Sequence, residues 1–112
     1  MERSGIYCII DLANGKRYVG QSVHLSERMK QHFNKLRKGI HSNKRMQADY
    51  KVDWKHFKWE VLEICPVSKL GEREKYWSEH YDCFNPKHGY NTQRVRVDQL
   101  YCDPDDYKGS DR

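Results

Sequence analysis

The sequence predicts an α+β domain, a small antiparallel or mixed sheet with helices packed against it. Three observations carry this. The apolar pattern changes period along the chain in the order β-β-α-α-β-α. Asn14-Gly15 falls between the first two apolar runs, where a hairpin turn belongs. The 112 residues suffice for one compact domain with its own core and not for two.

Residues 5–12 read as a first strand buried on both faces, with Ile6, Cys8, Ile10 and Leu12 on one side and Tyr7 and Ile9 on the other. Residues 17–20 return as a short second strand. A symmetric register about Asn14-Gly15 would place Leu12 opposite Arg17 and Asp11 opposite Tyr18. A helix follows over about 23–38, because Met29, Phe33, Leu36 and Ile40 repeat at helical spacing, and Gly39 is placed to cap it. A second helix over about 42–50 starts at Ser42 as N-cap. Phe57, Trp59 and Val61 alternate with Lys58 and Glu60 in a third strand over 56–65, which Pro66 stops. A third helix spans about 68–81. Asn85-Pro86 and His88-Gly89 mark loops, and 90–92 reads as a short extended return. The domain thus covers 1–94, and 95–112 reads as an acidic tail or the start of a linker.

The net charge of +5 is unevenly spread. Asp103, Asp105, Asp106 and Asp111 against Lys108 and Arg112 leave the last ten residues at −2 and the rest at +7. A basic body favours a polyanionic partner, although a solvated surface would look similar. No signal peptide or long apolar span is visible, and none of the four cysteines forms a CxxC pair. An intracellular protein with reduced thiols follows, without a zinc site.

Some polar residues sit where a purely structural role would not put them. Glu74 lies on the third helix's apolar stripe with Leu70, Trp77 and Tyr81. A carboxylate there is either a boundary residue paired with an arginine or a metal ligand. Arg28 and His32, four apart, share a helix face beside Met29 and Phe33. Tyr7 and Tyr18 point to one sheet face, with four residues of strand, about 13 Å, between their levels. They are either two aromatic sheet residues or two sides of a site. Together these are the parts of a phosphodiester-cleaving centre: a hard oxygen ligand for a divalent ion, a cation for the phosphate and a proton acceptor for water.

The chain resembles the GIY-YIG nuclease family. The naming motif stands as Gly5-Ile6-Tyr7 and Tyr18-Val19-Gly20, with Val in place of the usual Ile. The family's helix arginine matches Arg28 in SERMKQHF, followed by His32. Its glutamate matches Glu74 in LGEREKYW, and its late asparagine matches Asn91 in GYN. His41 in KGIHSNKRMQ is similar to a histidine of the phage intron-encoded homing branch, the nearest part of the family. The similarity runs over about residues 4–93.

The resemblance implies a three-stranded antiparallel sheet with helices on its sides. It implies a metal-dependent DNA endonuclease leaving 5′-phosphate and 3′-hydroxyl ends, with one Mg²⁺ or Mn²⁺ ion. Glu74 would hold the ion and Arg28 the scissile phosphate. Tyr7 or Tyr18 would orient or deprotonate the attacking water, with His32 as a relay. Gly20 would allow close backbone packing, His41 would support the site, and Asn91 would order it through the end of the third helix or Tyr7. A restriction or repair nuclease, or a non-catalytic DNA-binding module, would share the fold. Homing enzymes carry a separate DNA-binding region, and neither a zinc finger nor a helix-turn-helix follows here. The chain is then expected to be a lone monomeric nuclease domain without a membrane partner, or the excised catalytic part of a protein with a separate DNA-binding domain or subunit.

Overall fold

The computed structural model describes residues 3–92. Its sheet has three antiparallel strands, with β1 (Gly5–Asp11) between β2 (Lys16–Ser22) and β3 (Phe57–Ile64). Helices α1 (Leu25–Lys38), α2 (Lys44–Asp53) and α3 (Leu70–His80) flank it. Short 3₁₀ turns at Trp54–His56 and Val67–Lys69 lead into β3 and α3. The expected tail over 95–112 lies outside the described residues.

β1 is central because it is apolar on both faces. Tyr7 and Ile9 pack with Leu25, Met29 and Leu36 of α1, Met46 of α2, Phe57 and Tyr90. Ile6 and Cys8 pack with Val19, Cys65, Leu70 and Cys83, against which Trp77 and Tyr81 of α3 also lie. The sheet is therefore the middle of three layers. Burial pushes the Cys8 thiol up to about 11 and the Cys83 thiol up to about 12, so both behave as core residues rather than as nucleophiles.

The hairpin register differs from the symmetric expectation. Asp11 pairs with Lys16 and Ile9 with Tyr18, leaving Leu12 to Gly15 as the connection. Asp11 does this locally: its carbonyl accepts from Asn14 and Gly15, and its Oδ1 accepts from the Ala13 N–H. Leu12, expected in the strand, is exposed in the turn instead. The displacement is two residues, so each side chain keeps its face while its neighbours change.

At the other edge the β1–β3 pairing shifts between Ile6 and Tyr7. Leu62 is the extra residue of this bulge and packs towards α3. Gly5 lies beside it, where a Cβ would stand 2.2 Å from the Glu63 carbonyl oxygen. α1 ends at Gly39, in the left-handed conformation with φ 76°, whose N–H bonds back to Leu36. The chain turns there, so Ile40 is exposed rather than part of the buried stripe. The N-cap of α2 is Asn43, not Ser42, because the Asn43 Oδ1 accepts the Met46 N–H at 3.0 Å.

Candidate active site

The observed register brings the two tyrosines together. Tyr7 pairs with Gly20, and Ile9 with Tyr18, so the tyrosines are diagonal neighbours on one face. Their ring centroids are 6.5 Å apart, much closer than the symmetric hairpin implied. Gly20 makes room for the Tyr7 ring: a Cβ on it would meet the Tyr7 hydroxyl oxygen at 2.4 Å.

α1 crosses this face and turns Arg28 and His32 into it. Both are buried, at 7% and 0% exposure. His32 Nε2 lies 2.7 Å from the Tyr7 hydroxyl. Its ring also stands edge-on to Tyr18, with centroids 5.5 Å apart. On the far side, His32 Nδ1 lies 2.9 Å from Nε2 of His41, which is itself buried. Tyr7, His32 and His41 thus form one line of hydrogen bonds.

Burial pushes the Tyr7 hydroxyl well above the ordinary tyrosine range. The positive charge of Arg28 and its hydrogen bond to this hydroxyl act in the opposite sense, while Tyr18 and Glu74 add to the rise. Burial prevails, so Tyr7 is a phenol at neutral pH. Glu74 comes from α3, in the layer across the sheet, is half-buried, and is near enough to bear on the Tyr7 charge.

Asn91 is not at the phenol. Its Oδ1 accepts from the Val19 N–H at 2.9 Å and its Nδ2 donates to the Val19 carbonyl at 3.0 Å. One side chain thereby completes the free edge of β2 between Tyr18 and Gly20. Its own N–H bonds to the carbonyl of Cys83, just beyond α3. Of the two routes expected for Asn91, the one through the end of the third helix has contacts here; the one through Tyr7 does not.

Three residues of HSNKRMQ were passed over in the sequence. Asn43 donates its backbone N–H to His41 Nδ1 and its side-chain amide to the Tyr90 carbonyl. Gln47, also buried, accepts the His41 N–H and donates to the Leu36 carbonyl. Arg45 holds the Gly89 and Asn91 carbonyls. The one available signal was Asn43 three residues before Met46, an N-cap spacing.

The GIY-YIG catalytic domain family matches residues 3–91. The chain is 37% identical over 92 residues to intron-associated endonuclease 1 of enterobacteria phage T4, covering 80% of this chain and 36% of that protein. It thus spans about a third of the length of that relative. Among solved structures it is similar to the catalytic domain of homing endonuclease I-TevI, at 32% identity and TM-score 0.75, covering 81% of this chain and 99% of that one. A mutant of the same catalytic domain gives the same identity and TM-score over 84% of this chain and 97% of that one. With the motif tyrosines side by side and the family matched from the first strand to Asn91, the chain belongs to the GIY-YIG endonuclease family.

Proposed function

We propose that this domain hydrolyses phosphodiester bonds of DNA with one divalent ion, as the catalytic part of a homing-endonuclease-like protein acting inside a bacterial or phage-infected cell. The observation that carries this is the burial of Arg28 and His32 against Tyr7 on the face that also holds Tyr18. Desolvating a cation and an imidazole together is costly, and a substrate phosphate offsets that cost.

The donor set suits Mg²⁺ or Mn²⁺. Glu74 is a hard oxygen donor, and among the described residues no three His, Cys, Asp or Glu side chains gather as a cage. Mg²⁺ is usually held in this manner, by one or two carboxylates with waters and phosphate oxygens. When bound to Glu74, the ion supplies charge to offset that gained by the phosphate. Arg28 binds two phosphate oxygens with its planar fork and favours the transition state over the substrate. Tyr7 and Tyr18 orient the attacking water. Its oxygen bonds to phosphorus as the bond to the 3′ oxygen breaks, leaving a 5′-phosphate and a 3′-hydroxyl.

Partner DNA meets a basic chain, and target choice belongs to a separate DNA-binding domain or subunit, with this domain monomeric. No helix of the described residues is long and apolar enough to cross a membrane.

The test is supercoiled plasmid with Mg²⁺. We expect nicking or linearisation by the wild type, abolished by EDTA. Glu74→Ala and Arg28→Ala should each slow it about 10²-fold or more, the scale of removing one transition-state contact. Cleavage by Glu74→Ala at the wild-type rate would remove the metal assignment.

A further inference from the structure

We infer that His32 serves Tyr7 as a hydrogen-bond donor and not as its base, and that the backbone N–H of Asn43 fixes this through His41. A backbone amide can only donate. The Asn43 N–H lies 3.0 Å from His41 Nδ1, so that nitrogen carries a lone pair and no hydrogen. Neutral His41 therefore bears its hydrogen on Nε2. That nitrogen faces His32 Nδ1 at 2.9 Å and donates to it. His32 in turn bears its hydrogen on Nε2, 2.7 Å from the Tyr7 hydroxyl oxygen, which accepts. The near-parallel His32 and His41 rings, 17° apart, suit a bond lying in both ring planes.

Both imidazoles are buried, at 0% and 2% exposure, so water does not offer an alternative partner. Reversing any one bond sets two hydrogens face to face, and the reversal propagates to the Asn43 amide, which cannot yield. Gln47 keeps the arrangement in place by tying the His41 backbone to the end of α1. All three donors point towards Tyr7. They deliver partial positive charge to its oxygen, which stabilises a phenolate, and they aim the phenol's own hydrogen away from His32. The relay through His32 that the family resemblance implied has no acceptor atom on His32 facing Tyr7 in this arrangement. Within the nuclease reading on which the rate measurement rests, His32 and His41 are positioning residues for Tyr7.

The decisive measurement is long-range proton–nitrogen correlation on the full chain labelled with ¹⁵N-histidine, at pH 8. Signals are assigned through space from the Tyr7 and Tyr18 rings. We expect pyridine-like Nδ1 and pyrrole-like Nε2 nitrogens for both His32 and His41. A pyridine-like Nε2 on His32 overturns the inference. This spectrum decides whether or not the protein cuts DNA, so a failure of the nuclease reading stays distinct. In a cleaving protein, His32→Gln keeps a donor but cannot take a proton. It should stay within about tenfold of wild type, well above His32→Ala. His32→Gln as slow as His32→Ala, about 10²-fold or more below wild type, would mark His32 as a base and overturn the inference equally.

Discussion

Gly20 shows how much of the site depends on a missing side chain. It pairs with Tyr7, and a Cβ there would stand 2.4 Å from the hydroxyl oxygen and 2.5 Å from Cζ. The ring cannot swing aside freely, because it is buried and held by His32. Gly20→Ala should therefore cost about 1–3 kcal/mol in urea unfolding, as overpacking does, and lower plasmid nicking with it. Unchanged stability and nicking would mean that Tyr7 is not held in place. From its residues alone the sequence marks Gly20 only as a weak point in a strand. What it faces depends on the register, which periodicity does not fix. Glu74 and Arg28 stand out in the sequence as charges on or beside an apolar stripe, but spacing alone leaves each open to an ordinary ion pair or a solvated face, and the family resemblance is what points to a site.

α1 and the hairpin were readable as elements because their patterns are long and repetitive. The stripe of Met29, Phe33 and Leu36 and the cap at Gly39 place α1 to within two residues at its start. The hairpin connection was misjudged because Asn14-Gly15 reads as a complete two-residue turn, whereas the Asp11 carbonyl and carboxylate draw Leu12 and Ala13 into it. The site face survived only because the displacement is even. α2 has little amphipathic pattern to read, and its start is set by Asn43, whose side chain serves Met46 and Tyr90 at once. Asn43→Ala removes that cap but keeps the backbone N–H to His41. We expect a loss of about 1–2 kcal/mol in thermal or urea unfolding. The histidine tautomers should not change, and a shift in their ¹⁵N signals would show that the side chain also controls the line of hydrogen bonds from His41 to Tyr7.

At the scale of the whole molecule, the two-layer cover of β1 followed from its two apolar faces, but the joining of hairpin end, α2 and the final return did not. These meet around Asp11, which is fully buried although the sequence offered it only as a strand residue. Asn14 and Tyr90 both donate to the Asp49 carboxylate beside it. Burial pushes Asp11 from 3.8 up to about 6, the Ala13 N–H opposes this, and Asp53 and Asp49 add to it. Between those pH values the folded chain holds a proton that the unfolded chain has released. Asp11 thus favours folding fully below about pH 4, and that contribution is lost as pH rises through about 6. Asp11→Asn keeps an oxygen for the Ala13 N–H and presents an amide to Asp53, with no charge to bury. Relative to wild type it should gain about 1–3 kcal/mol at pH 8, and the gain should shrink towards pH 4. Urea unfolding of both proteins from pH 4 to 8 measures the difference, and parallel curves would mean that Asp11 is as well solvated folded as unfolded.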